Sequence, residues 1–196
     1  MKPSLNTGTA SLFLISCCHF IVMVYIITGG PGFGKTAILN FLALKGYSVG
    51  HEAARELISQ LTIQNSGNSI QFPPDFESLI ATKRVEFLES VDPALVAFSD
   101  RGLPDQIAYS LYKKKIPSPY ILELVQKNRY ETTVFVTPPW EKMFVQDDVR
   151  KESFKDSCEI HENILKAYLA HGYKLVNLPF VDPEERVRYI LNFLGI

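Results

Sequence analysis

Gly29-Gly30-Pro31-Gly32-Phe33-Gly34-Lys35-Thr36 satisfies G-x-x-x-x-G-K-S/T, with the apolar run Ile21-Val22-Met23-Val24-Tyr25-Ile26-Ile27 before it and the amphipathic Ala37-Ile38-Leu39-Asn40-Phe41-Leu42 after it. A buried strand that enters a glycine-rich bend and leaves as a helix makes an anion site. Backbone N–H groups wrap the phosphates and the helix aims its positive end at them. Gly29, Gly32 and Gly34 supply the tight bend. Lys35 is expected to act catalytically by reaching the β- and γ-phosphates as a point charge, and the Thr36 hydroxyl to take one metal position on Mg²⁺. The nucleotide-binding residues read from this stretch are Gly29, Gly30, Pro31, Gly32, Phe33, Gly34, Lys35, Thr36 and Ala37. The expected ligand is ATP or GTP with Mg²⁺, and nothing in the sequence separates the two bases. A glycine-rich turn that ends in Lys-Thr by coincidence is the competing reading, which the flanking strand and helix disfavour.

The chain has 196 residues, enough for one core without disulfide or metal staples. Its 20 Lys plus Arg against 21 Asp plus Glu leave a net charge of −1, which gives no sequence-wide electrostatic case for nucleic acid binding. Cys17, Cys18 and Cys158 are odd in number and form no Cys/His cluster, so a reducing cytoplasm fits best. His19, His51, His161 and His171 are scattered, and each reads as a surface or satisfied core histidine rather than a ligand.

Residues 1–22 form an extension ahead of the domain at 23–196. Lys2 and the run Ser11-Leu12-Phe13-Leu14-Ile15-Ser16-Cys17-Cys18 imitate a short signal peptide. Ser16 and His19 interrupt the apolar run, which falls short of the roughly 18 residues of a membrane span. The preferred reading is a start upstream of the true first residue Met23, with a disordered or loosely packed extension and a cytoplasmic domain.

Apolar runs alternate with segments of helical period along the rest of the chain, the pattern of βαβ units and a buried parallel sheet. Strands are expected at Met23–Thr28, Tyr47–Val49, Leu95–Asp100, Thr133–Thr137 and Tyr173–Asn177. Helices are expected after the glycine loop as far as Lys45-Gly46, over Glu52–Leu61 and Asp75–Ser90, around Ile160, Ile164 and Leu165, and from Asp182 onward. In the last, Asp182 caps, Pro183 fits the first turn, Glu185 is placed to complete a capping box, and Val187, Ile190, Leu191 and Leu194 face the core. Ile63 to Pro74 reads as a mobile loop.

In an open α/β sheet, ligands collect beyond the carboxyl ends of the strands, which singles out three groups. Asp100-Arg101 follows a buried strand. Asp100 is a candidate metal-shell acid or catalytic base, and Arg101 a candidate acceptor-binding cation. Asp105 belongs to the same candidate substrate-binding set, or, as an acid at a helix start, serves the dipole. Glu52 and Arg55 share one helical face and suit an acceptor site or an ordinary ion pair. Pro138-Pro139-Trp140 and Gln146-Asp147-Asp148-Val149-Arg150-Lys151-Glu152 suit a small lid. There Arg150 would meet charge developing on the transferred group, with Lys151 beside it, or the cluster is simply a solvated helix entrance.

Four segments together carry a family resemblance: Ile26 to Thr36, Glu52-Ala53-Ala54-Arg55-Glu56-Leu57-Ile58, Phe98-Ser99-Asp100-Arg101-Gly102-Leu103-Pro104-Asp105, and Pro138-Pro139-Trp140 with Asp147 to Glu152. From about Tyr25 to the C-terminus, the chain resembles the NadR-like AAA-domain P-loop NTPases, which include the nicotinamide-riboside-kinase part of NadR. The resemblance implies an α/β nucleotide-kinase-like fold: a mostly parallel five-stranded sheet between helical layers, with a small lid, binding ATP or GTP with Mg²⁺. It does not fix an acceptor. The resulting expectation is an ATP-dependent phosphotransferase that moves the γ-phosphoryl group to a hydroxyl of a small, nucleoside-like molecule. The rivals are a nucleotide-dependent switch that reads a protein or lipid partner, and an ATPase without an organic acceptor. An enclosed cleft lined by Glu52, Arg55 and Asp100 would favour the kinase, and a flat apolar patch the switch.

Overall fold

The computed structural model describes residues 23–64, 72–144 and 152–196. The extension, most of the expected mobile loop, and Gln146 to Lys151, including Arg150, lie outside the described residues.

Five short strands carry the core: β1 (Val24–Thr28), β2 (Ser48–Gly50), β3 (Ala97–Asp100), β4 (Thr133–Val136) and β5 (Lys174–Asn177). They form one sheet in the order β2-β3-β1-β4-β5, with every pairing parallel. β1, β3 and β4 are buried on both faces, which is why they read as nearly unbroken apolar runs. The alternation survives in what each side chain touches. Val24, Ile26, Val134 and Val136 join one core cluster, while Ile27, Phe98 and Phe135 join the other.

Helices cover both faces, as parallel strands joined by crossovers require. On one side lie α1 (Lys35–Leu44), through Ile38, Leu39 and Leu42, and α7 (Pro183–Leu194), through Val187 and Ile190. On the other lie α3 (Phe76–Ser90), α4 (Leu103–Tyr112), α5 (Pro119–Lys127) and α6 (Phe154–Ala170). The remaining helix, α2 (Ala53–Gln64), follows β2. Each strand edge observed lies within two residues of its expected position, and α2 runs on through Ile63 and Gln64, which the sequence assigned to the loop. The Asp182 side chain caps α7 by accepting from the Glu185 amide at 2.9 Å. Glu185 itself pairs with Arg188 at 3.3 Å on the exposed face, so the expected role of Glu185 in a capping box gives way to an i,i+3 ion pair. None of the described helices is long and apolar enough to cross a membrane.

The chain turns to opposite sides of β1 after β3, so the carboxyl ends of β1, β3 and β4 meet at the point where the strand order reverses. The glycine loop starts there. Phe135 sits in the α1/α7 layer and is fully buried. Phe135→Ala is expected to cost about 3–5 kcal/mol through lost burial and the cavity left behind. A urea titration would register this as a lower midpoint with an unchanged slope.

Candidate active site

Gly29 leaves β1 with φ +140, and a Cβ there would meet the Thr137 carbonyl oxygen at 2.5 Å. The close approach of β4 therefore requires glycine. Gly32 (φ 76) and Gly34 (φ 84) complete the bend, and α1 begins at Lys35. The Lys35 ammonium is folded into the loop, donating to Gly30 O at 2.8 Å and Gly29 O at 3.2 Å. Phe33 is buried against Phe144, Phe154 and His161, so its ring anchors the loop to α6. Thr36 is exposed on the first turn of α1, with Ala37 half-buried next to it.

The end of β3 runs alongside. Asp100 lies opposite Ile27 in the β1 register and is 2 % exposed. Arg101 follows in the left-handed region at φ 68, a strained state for a side chain of this size. Its guanidinium is almost fully buried and reaches in two directions. Nη1 donates to Gly29 O of the loop at 2.9 Å and to Asp105 Oδ1 at 3.0 Å, while Nε lies 3.5 Å from Glu52 Oε1. The plane also sits over the Tyr109 ring, 5.3 Å from its centroid. Burial alone would lower the Arg101 pKa, but the neighbouring Tyr109, Asp105, Glu52 and Asp100 outweigh it and hold the charge firmly.

Glu52, half-buried at the start of α2, also lies 3.5 Å from Arg55. These residues border a cleft of about 680 Å³ whose lining includes Pro31 of the loop, Glu52, Arg55, Arg84, Arg101, Gln106 and Tyr109, with Ile58, Phe76, Ile80 and Ile121 as apolar wall. That volume is in the range of small-molecule sites. Three of the candidates, Glu52, Arg55 and Arg101, are thus brought together, while Asp100 is not among the residues that line the cleft. Arg84, Gln106 and Tyr109 of the lining were not among the expected residues. The signals were present: Arg84 repeats with Ile80 and Leu88 on the buried face of α3, and Gln106 and Tyr109 lie three apart on the helix that follows β3-Asp100.

Asp105, expected among the substrate-binding residues, is fully enclosed. Oδ1 accepts from Thr28 Oγ1 at 2.7 Å and from Arg101, and Oδ2 accepts from Gly102 N at 2.9 Å and Tyr168 Oη at 2.6 Å. Four donors fill the four acceptor positions of a carboxylate and leave none for a ligand. Burial raises the carboxyl pKa, but Arg101, Arg84, the Gly102 amide and Tyr168 outweigh it and lower it below the usual value. Asp105 is a positioning residue that holds Arg101 and the end of β1. His161 departs from expectation too: it is 6 % exposed and its Nδ1 has no hydrogen-bond partner. Desolvation, then Lys35 and Arg101, push its pKa down to about 4.

A family profile described as an AAA domain matches residues 24–186, which takes in every candidate site residue. The chain belongs to this AAA domain family. Solved structures agree on the fold. NadR in complex with NR superposes with a TM-score of 0.66 at 16% identity, over 90% of this chain and 52% of that one. Deoxyadenosine kinase from M. mycoides, with products dCMP and dCDP, gives 0.64 at 14% identity over 88% and 99%. Thymidylate kinase from Ehrlichia chaffeensis gives 0.57 at 15% identity over 89% and 98%. The chain spans about half of the NadR chain it matches. No curated protein matches it in sequence at a significant level. The AAA-domain member described here thus has a nucleotide-kinase-like fold with a P-loop.

Two outcomes follow from the buried network. Asp105→Asn leaves Arg101 and Arg84 without their buried counter-charge and is expected to cost about 3 kcal/mol or more, whereas Tyr168→Phe, which removes one donor, costs about 1.5 kcal/mol. Chemical denaturation of the two variants checks the ranking. The native fold keeps His161 neutral down to about 4, while an unfolded imidazole takes a proton near pH ~6.5. Acidification between those values therefore favours the unfolded chain, by on the order of 3 kcal/mol at most. Melting temperatures from pH 7.5 to 4.5 should fall more steeply for the wild type than for His161→Phe.

Proposed function

We propose that this AAA-domain protein transfers the γ-phosphoryl group of ATP to a hydroxyl of a small, nucleoside-like acceptor bound in the cleft beside the glycine loop. The observation that carries the reading is Arg101. One guanidinium touches the loop at Gly29 and the cleft carboxylate at Glu52, so the phosphate end and the acceptor end form a single site. A cleft in this place, rather than a flat apolar patch, favours the kinase over the switch. Aromatic Tyr109 and Phe76 with the Gln106 amide suit a planar, polar-edged ligand such as a nucleobase.

The loop amides and Lys35 bind the triphosphate, with Lys35 leaving the Gly29 and Gly30 carbonyls to do so. The Thr36 hydroxyl and the Asp100 carboxylate are hard oxygen donors at the loop's edge and suit Mg²⁺, which would neutralise charge on the transferred group. The acceptor oxygen forms a bond to the γ-phosphorus as the bond from that phosphorus to the β,γ-bridging oxygen breaks, and ADP leaves. The acceptor's proton passes to Glu52, the carboxylate that lines the cleft. Asp100 takes the metal-shell half of its two expected roles because it does not line the cleft. Arg101 holds Glu52 in orientation and Arg55 adds positive charge at the same end.

Transfer of label from γ-labelled ATP to a panel of nucleosides tests the reading. Lys35→Ala should lose triphosphate binding at least about 100-fold. Glu52→Gln and Asp100→Asn should bind a non-hydrolysable triphosphate within a few-fold of wild type and lose turnover by about 100-fold or more. Label transfer unchanged by all three substitutions would overturn the assignment.

A further inference from the structure

α6 turns a polar face onto the glycine loop that none of the roles above uses. Ser157 and His161 are one helical turn apart and so share that face. The Ser157 carbonyl oxygen lies where a Cβ on Gly30 would be 2.4 Å away. The His161 ring meets the Phe33 ring edge-on, with centroids 5.8 Å apart and planes at 64°. Both residues are buried, and Ser157 Oγ and His161 Nδ1 have no hydrogen-bond partner. Buried polar atoms of native proteins are rarely left in that state, and an unmade bond of this kind points to a partner that arrives later.

The charges around the pair indicate what that partner is. Lys35 from the loop and Arg101 from the β3–α4 junction are the groups whose charge acts on His161, and both oppose its protonation. The carboxylate of Asp105, which pairs with Arg101, is saturated by its own four donors. The charges that act on this imidazole are thus two cations, a setting that suits an anion. No group of three His, Cys, Asp or Glu side chains gathers among the described residues, so a metal is the weaker occupant. A phenylalanine would fill the same space and keep the edge contact to Phe33 without leaving Nδ1 unbonded, so packing alone gives no reason for histidine.

We infer that His161 donates a hydrogen bond from Nδ1 to a phosphoryl oxygen of the triphosphate held by the glycine loop, with the Ser157 hydroxyl beside it on the same anion. The inference rests on the nucleotide site proposed above and adds a side of that site supplied by α6. His161 is then a phosphate-binding residue whose contact is made only when the loop is filled.

Calorimetric titration with Mg·AMP-PNP tests this on the full chain. His161→Phe retains the ring and should bind about tenfold more weakly, while its melting temperature without nucleotide stays at or above that of the wild type. His161→Asn places an amide donor near the Nδ1 position and should recover most of the affinity, a rescue that a purely structural role would not produce. Ser157→Ala should weaken binding several-fold. Wild-type affinity in His161→Phe, or an asparagine variant as weak as the phenylalanine one, overturns the inference while leaving the nucleotide site intact. Failure of the wild type to bind Mg·AMP-PNP would remove both.

Discussion

The carboxylate of Asp105 is the point on which the site's geometry depends. It joins three pieces of backbone that are far apart in sequence: the end of β1 through Thr28, the β3–α4 junction through Arg101 and Gly102, and α6 through Tyr168. An ion pair buried this deeply adds little net stability over an apolar replacement. What it supplies is position. Arg101 is held at a positive φ with its guanidinium against the loop carbonyl of Gly29, a state that persists only where the surroundings over-determine it.

That constraint links the two halves of the fold. The β1–loop–α1 unit packs on the α7 side of the sheet, whereas the cleft is walled by α2, α3, α4 and α5. Arg101 and Glu52 bridge the two, and Arg84 reinforces the junction by donating to Gly102 O at 2.7 Å. Phe33 provides a third attachment, seated among Phe144, Phe154 and His161. The glycine loop is thus gripped from β4, from β3 and from α6. A pre-set loop of this kind lowers the cost of ordering a bound polyphosphate.

The sequence was most legible where local pattern and tertiary role coincide. Residues 24 to 44 announce strand, loop and helix because glycine spacing, β-branched residues and helical period all agree there. The five strands could be read from apolar runs because a parallel sheet buries both faces. α5 was missed although Ser118-Pro119 opens it, since only Ile121 and Val125 are fully buried. Asp105 could not be read correctly. An acid three residues into a helix looks the same whether it serves the dipole, a ligand or a buried arginine, and only the fold brings Thr28 and Tyr168 to it. His161 was hidden for the same reason, because its polar environment comes from a loop about 130 residues earlier in the chain. Glu52 and Arg101 stood out in the sequence because they come just after the ends of β2 and β3, and Arg55 because it shares a helical face with Glu52.

In the function proposed above, the glycine loop is a phosphate site mechanically tied to the cleft through Arg101 and Asp105. Hydrogen–deuterium exchange with and without Mg·AMP-PNP tests it most directly, since amide protection reports local ordering residue by residue. Added protection is expected at residues 29–37 together with residues 100–105 and the start of α2. Protection confined to some other surface, or none at the loop at saturating nucleotide, would contradict it.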